Sequence, residues 1–180
     1  MNRFIAIVLV LASTIIAACQ TTFKMEKDSG HYFIHAKIND NPASRIFVET
    51  GLPGMLISQT DYDRLLSNTQ LDSIELRHRT MIFHHRTQNI NKALYGSINI
   101  GDLRYHGSIY VLDQFDKIGV PVHRLENLKD STACMMRFDF KQMTLDFVSG
   151  DSVNQTMMHK FNITRLSPMP VIEATLSISD

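Results

Sequence analysis

The stretch Ile46-Phe47-Val48-Glu49-Thr50-Gly51-Leu52-Pro53-Gly54-Met55-Leu56-Ile57-Ser58 decides how the chain is read. Arg45 to Glu49 has the branched and aromatic content of a β-strand, and Met55 to Ser58 reads as a second, shorter one. The connection between them carries an acidic residue, a hydroxyl residue and then Gly51, Pro53 and Gly54, which let a backbone turn tightly.

The same strand-and-turn grammar extends outward. His31 to Ile38 alternates and is closed by the turn cluster Asn39-Asp40-Asn41-Pro42. Gln59 to Leu66 changes period: Tyr62, Leu65 and Leu66 fall on one helical face, with Ser58 or Thr60 as the cap. Ser73 to Thr87 is expected as a hairpin, although no Asn-Gly pair fixes its turn. Ala93 to Ile100 alternates, Gly101-Asp102 turns, and Tyr105 to Leu112 is another strand. Gln114 to Lys129, with Gly119 and Pro121, reads as a loop, and Thr132 to Met136 as an apolar run. Phe138 to Gln142 is expected as a short helix leading into the strand Met143 to Val148. Many short strands with regular turns predict a mostly β, barrel-like domain with one or two short helices. No Gly-rich phosphate loop, βαβ alternation or solenoid repeat is present.

Composition narrows the function classes. The chain has 180 residues, 44% hydrophobic and 20% charged, which fits a globular domain rather than a disordered chain. Its 18 basic and 18 acidic residues leave no excess charge for counterion-driven nucleic-acid binding. Two cysteines cannot build a disulfide scaffold or a four-thiolate zinc site.

The N-terminus belongs to a different physical class. Met1-Asn2-Arg3 is positive, and Phe4 to Ala18 carries no charge. That is the length of a signal-peptide core, below the roughly 20 apolar residues of a membrane span. Ile16-Ala17-Ala18-Cys19 resembles the bacterial lipobox, which implies lipidation of Cys19 and attachment to the cell-envelope membrane through acyl chains. Cys134 is then left alone as a small apolar residue. The expected organisation is a lipoprotein signal peptide at 1–19, a tether at 20–30, a folded lobe at 31–150 and a C-terminal extension at 151–180.

The segment Ile46 to Ser58 resembles the active-site signature of the retropepsin-like aspartic proteases, in which an apolar strand leads into Asp-Thr/Ser-Gly. The resemblance extends to the opening hairpin (His31 to Val48), the small helix after the loop (Gln59 to Leu66) and the hairpin from Leu94 to Leu112. It implies a single-lobe closed β-barrel, a flap around Leu76 to Arg86, and a closing element at Thr132 to Phe147. That element is an apolar run ending in Gly, then a short helix, then a strand. It also implies Glu49, Thr50 and Gly51 as the catalytic motif, with Arg77, His78 and Arg79 on the flap facing substrate. The implied partner is a peptide or protein segment in extended conformation, with no cofactor and no metal.

Two departures bear on activity. The catalytic Asp position is Glu49, and the closing element reads Cys134-Met135-Met136 with no glycine; Pro53 also stands where a small or acidic residue is usual. An added methylene displaces the carboxylate, and a misplacement of about 1 Å can cost on the order of 100-fold in rate. The expected outcome is an impaired or inactive peptidase, the alternative being a non-catalytic peptide-binding or scaffold lipoprotein. A lobe with one acidic loop needs a second copy, a homodimer, or a second lobe to pair its carboxylate. Residues 168–180 alternate like the first strand of such a second lobe, or like a terminal strand pairing with the first lobe or another subunit.

The remaining clusters do not favour a metal. His31 and His35 would be separated by about 13 Å along a strand, and His84-His85 would point to opposite faces. Ten methionines are read as core filling, with Met135-Met136 and Met157-Met158 too scattered for a copper site. The basic run from Arg77 to Arg86 offers either a solvated hairpin or recognition of an acidic peptide or lipid headgroup.

Overall fold

A computed structural model describes residues 21–83, 86–128, 135–148, 163–166 and 169–172. The signal segment with Cys19, the pair His84-His85, Cys134, and Met157-Met158 lie outside the described residues. The fold is mostly β. In chain order the strands are β1 (Thr21–Asp28), β2 (His31–Ala36), β3 (Ser44–Glu49), β4 (Met55–Ser58), β5 (Asp72–Ser73), β6 (Thr80–Phe83) and β7 (Arg86–Ile100). They continue with β8 (Leu103–Leu112), β9 (Ile118–Pro121), β10 (Leu125–Asn127), β11 (Met135–Asp139), β12 (Thr144–Val148), β13 (Ile163–Leu166) and β14 (Met169–Ile172). One helix, α1 (Gln59–Leu65), follows β4; the Ser58 hydroxyl accepts the Asp61 N–H at 2.9 Å and caps it.

Twelve strands share one sheet in the order β11-β12-β1-β2-β3-β9-β4-β8-β7-β5, with β10 added on β8 and β6 on β7. The path has two free ends, β11 and β5, so the sheet is open and not the closed barrel expected. β5 is two residues long, and the chain then arches off the sheet until Thr80, so among the described residues nothing extends the ladder from β5 towards β11.

Three other expectations are corrected. The stretch expected as a tether, 20–30, holds β1, which is paired on both sides: Thr21 to Lys24 with β12, and Met25 to Asp28 with β2. Its polar residues are the outward half of an alternating strand whose inward residues, Phe23 and Met25, are buried. Phe138 to Gln142 is no helix: β11 runs to Asp139, whose carboxylate accepts the Lys141 and Gln142 N–H groups and turns the chain into β12. The Gln114–Lys129 loop contains β9, a 3-10 turn (Val122–Arg124) and β10.

The third of these matters most. β9 lies between β3 and β4, parallel to β3 (Val48 opposite Val120) and antiparallel to β4 (Leu56 opposite Gly119). All four of its residues are buried. An apolar run with a glycine, then a short helical turn, then a strand thus occurs at Ile118 to Asn127; of the closing element expected at Thr132 to Phe147, residues 132–134 lie outside the described residues and the rest holds β11 and β12 with no helix between them.

Inward-facing residues of β2, β3, β4, β8 and β9 form the main core, with Tyr105 and Ile34 fully enclosed. A smaller cluster joins Leu52, Leu56, Ile90, Leu112 and Phe115, with Ile74, Leu76, Met81 and Phe83 packed on it. Within the C-terminal extension, β14 pairs antiparallel with β13, so the alternating segment has a local partner in residues 163–166.

Candidate functional site

β3 delivers Glu49 to the point where the chain leaves the sheet, and β4 takes it back at Met55. Both strands are clamped on β9, so the loop of residues 50–54 is suspended between two fixed rails. Glu49 is half-buried and folds back on its own loop: its Oε1 accepts the N–H of Thr50 at 2.8 Å and of Gly51 at 3.0 Å. Thr50 contributes this backbone N–H to the arrangement. One carboxylate oxygen thus satisfies two amides that the turn removes from any ladder.

The rest of the loop is pinned from beneath. Leu52 is buried, and a Cβ on Gly119 would stand 2.9 Å from its Cδ1. A Cβ on Gly54 would stand 2.4 Å from the Ser108 carbonyl oxygen, so only glycine lets the loop pass that close to β8. The Tyr105 hydroxyl accepts the Met55 N–H at 3.1 Å and donates to the Ser108 carbonyl at 2.7 Å. Burial pushes the Tyr105 phenol above its usual pKa, against the opposing pull of the Met55 N–H and the Arg124 charge. Arg124 donates from Nη1 to the Pro53 carbonyl at 3.2 Å.

A hairpin stands beside this loop. β6 pairs with the start of β7 from Thr80–Asn89 to Phe83–Arg86. Asp113 accepts the Asn89 backbone N–H at 3.1 Å and its Nδ2 at 2.7 Å, tying the hairpin base to the end of β8. Phe83 packs edge-on against Phe115 (centroids 5.6 Å apart) and Phe47 (6.3 Å). A cleft of about 310 Å³ lies between the hairpin and residues 114–117, lined by Phe83, Gln88, Phe115, Asp116 and Lys117 among others. Gln88 is buried, and among the described residues its Oε1 has no hydrogen-bond partner.

The structure brings together Glu49, Thr50 and Gly51 as a loop, as expected from their adjacency. Arg77, His78 and Arg79 are exposed and precede β6, off the paired flap strands. Among the described residues, no hydrogen bond or ion pair joins them to Glu49. The paired hairpin runs from Thr80 to Asn89, shifted towards the C-terminus from the expected flap. Tyr105, Gly119, Arg124 and Gln88 carry no site role in the sequence reading, where Tyr105 only opens a strand and Gly119 only marks a loop. The period-two apolar run Ile118, Val120, Val122 was the signal for β9, masked by a glycine and a proline that ordinarily mark loops.

The histidines have separate surroundings. The His31 ring meets the edge of Phe47, and His35 Nε2 lies 3.5 Å from Glu26 Oε2. Among the described residues, no three His, Cys, Asp or Glu side chains converge as metal ligands.

No protein-family model matches the chain, and a comparison with curated proteins finds no match. Among solved structures, the chain is similar to a retropepsin-like aspartic protease from Rickettsia conorii, at 18% sequence identity and a TM-score of 0.44, over 72% of this chain and 90% of that chain.

Proposed function

We propose that the chain is a retropepsin-like lobe that holds an extended peptide between its hairpin and the Glu49 loop, with little or no peptidase activity of its own. The observation that carries this reading is the engagement of Glu49 Oε1 by the Thr50 and Gly51 amides. The arrangement orients one carboxylate at the strand end. Water activation of the aspartic-protease type needs two carboxylates sharing a proton, and the folded lobe supplies a single Glu-Thr-Gly loop. The longer Glu side chain also moves the carboxylate off the position an Asp would give. A symmetric homodimer would bring in the second loop.

The cleft beside the hairpin supports peptide binding. Phe83 and Phe115 offer an apolar grip, and the buried Gln88 acceptor lies in its wall awaiting an N–H donor. Cys19, by its lipobox, would place the lobe at the bacterial cell envelope on a lipid anchor.

The test is incubation of the purified protein with a mixed peptide library at acidic and neutral pH, read for both cleavage and retention. The expected result is retention without cleavage, with Glu49→Asp gaining cleavage or leaving binding unchanged. Cleavage by the wild type that is lost in Glu49→Gln would make it an enzyme. Absence of both retention and cleavage would sink the peptide-binding reading. Labelling with a palmitate analogue should mark the wild type and not Cys19→Ala; labelling of both would exclude Cys19 as the lipid site.

A further inference from the structure

On the other side of the hairpin base, the chain between β5 and β6 arches away from β7. It leaves at Ile74, whose N–H donates to the Ala93 carbonyl at 2.8 Å. It returns at Arg79, whose carbonyl accepts the Ile90 N–H at 2.8 Å. Between these fixed points the pairing of β7 with β8 slips by one residue, from Ile90 to Lys92. Such bulges re-aim side chains, and here the bulge and the arch enclose a cleft of about 330 Å³.

The chemistry of the cleft is one-sided. Its floor is apolar, formed by Ile74, Leu76, Ala93 and Leu94, and its charged lining residues are Arg79 and Lys92, with no acid among them. Among the described residues, no ion pair engages either cation. Lys92 Nζ stands 4.3 Å from the centroid of the Tyr62 ring, a contact that leaves the ammonium's charge unneutralised. Glu49 does not line the cleft.

We propose that this cleft is a second binding site, for an acidic segment of a polypeptide. A carboxylate of the segment pairs with Arg79 and Lys92, and the apolar side chain next to it lies on Ile74, Leu76 and Leu94. Charge complementarity selects the anion. The concave apolar floor selects an anion carrying a hydrophobic neighbour over a bare inorganic ion, and a concavity suits a side chain better than a flat bilayer surface.

The experiment measures binding of the full chain to two fluorescein-labelled peptides, one alternating Leu and Glu and the other alternating Leu and Gln. The acidic peptide is expected to bind at least about tenfold more tightly, and Arg79→Glu/Lys92→Glu to remove that advantage, in line with the strength of charge-assisted hydrogen bonds. Lys37→Glu/Lys141→Glu, an equal charge change at exposed positions elsewhere, should leave it within about twofold. Arg79→Gln/Lys92→Gln, checked for an unchanged amide NMR spectrum, gives the same reading should charge reversal disturb the fold. Equal affinity for both peptides, or equal losses in the Arg79/Lys92 and Lys37/Lys141 variants, would overturn the site. So would binding to vesicles of anionic lipid with none to the acidic peptide.

Discussion

Gly119 sits so close to Leu52 that a Cβ on the glycine would lie 2.9 Å from the leucine Cδ1. This contact joins the middle strand β9 to the loop that carries Glu49, and both residues are buried. Gly119→Ala is therefore expected to destabilise the lobe by about 1–3 kcal/mol through overpacking. Leu52→Ala alone opens a cavity and also destabilises, yet the pair should be less damaging than the sum, since the smaller residue makes room for the added methyl. Urea unfolding of the two single variants and the double variant measures the coupling. Strict additivity would mean that the loop does not rest on β9.

Tyr105, from β8, serves the same loop. Its buried side chain is the acceptor for the Met55 N–H and the donor to the carbonyl of half-buried Ser108. Tyr105→Phe leaves both backbone groups without that partner, at a cost of about 1–3 kcal/mol. Accelerated hydrogen exchange at the Met55 amide is the direct readout, because a purely volumetric effect would not single out that group.

Much of the outline was legible in the sequence, because it follows from local rules. Met55–Ser58 was read to the residue, side-chain chemistry narrowed the helix cap to Ser58 or Thr60, and the alternation of Ala93 to Ile100 and the strand from Tyr105 to Leu112 fall within β7 and β8. The misreadings share a cause: context overrode composition. Thr21–Asp28 looks like a polar linker until β12 and β2 are found on its two sides. Ile118–Pro121 looks like a loop because it contains Gly and Pro, yet the glycine is what lets the strand pack under Leu52. Within the site, Glu49-Thr50-Gly51 was readable as a motif. Its supports, Tyr105 and Arg124, were not, since they lie more than fifty residues away in the chain and converge only when the sheet is assembled.

The Asp146 carboxylate gives the fold an acid-sensitive point. It is almost fully enclosed, and burial alone would raise its pKa. The Thr22 hydroxyl at 2.7 Å and the Arg137 guanidinium at 2.6 Å more than offset this, so the net shift is downward. A carboxyl whose folded pKa is depressed adds stability above its unfolded value, about 3.9, and that stability is lost as pH falls through the folded value. Wild-type stability should thus decline below about pH 4, and Asp146→Asn should flatten that decline. At neutral pH the same substitution is expected to cost about 2 kcal/mol by removing the charge that strengthens the hydrogen bonds from Thr22 and from Nε and Nη2 of Arg137. Chemical denaturation at several pH values checks both; parallel pH profiles for the two proteins would exclude Asp146 as the acid-sensitive group.

Deletion of residues 20–30 separates a tether from a structural strand. A tether could be removed without effect on the lobe. β1 instead buries Phe23 and Met25, sets the Phe23 ring edge-on to Phe147 with centroids 6.0 Å apart, and fills the slot between β12 and β2. Its loss removes roughly 1.5–3 kcal/mol for each of the two buried side chains, before any ladder hydrogen bonds are counted. It also leaves β2 and β12 as new unpaired edges, which template association between chains. A chain beginning at His31 should therefore fail to give a cooperative thermal transition and should aggregate. Adding a synthetic peptide of residues 20–30 in trans should recover part of the soluble fraction, because the vacant slot is a strand-shaped site with a ladder on each side. A soluble, cooperatively folding deletion variant would show that β1 is dispensable.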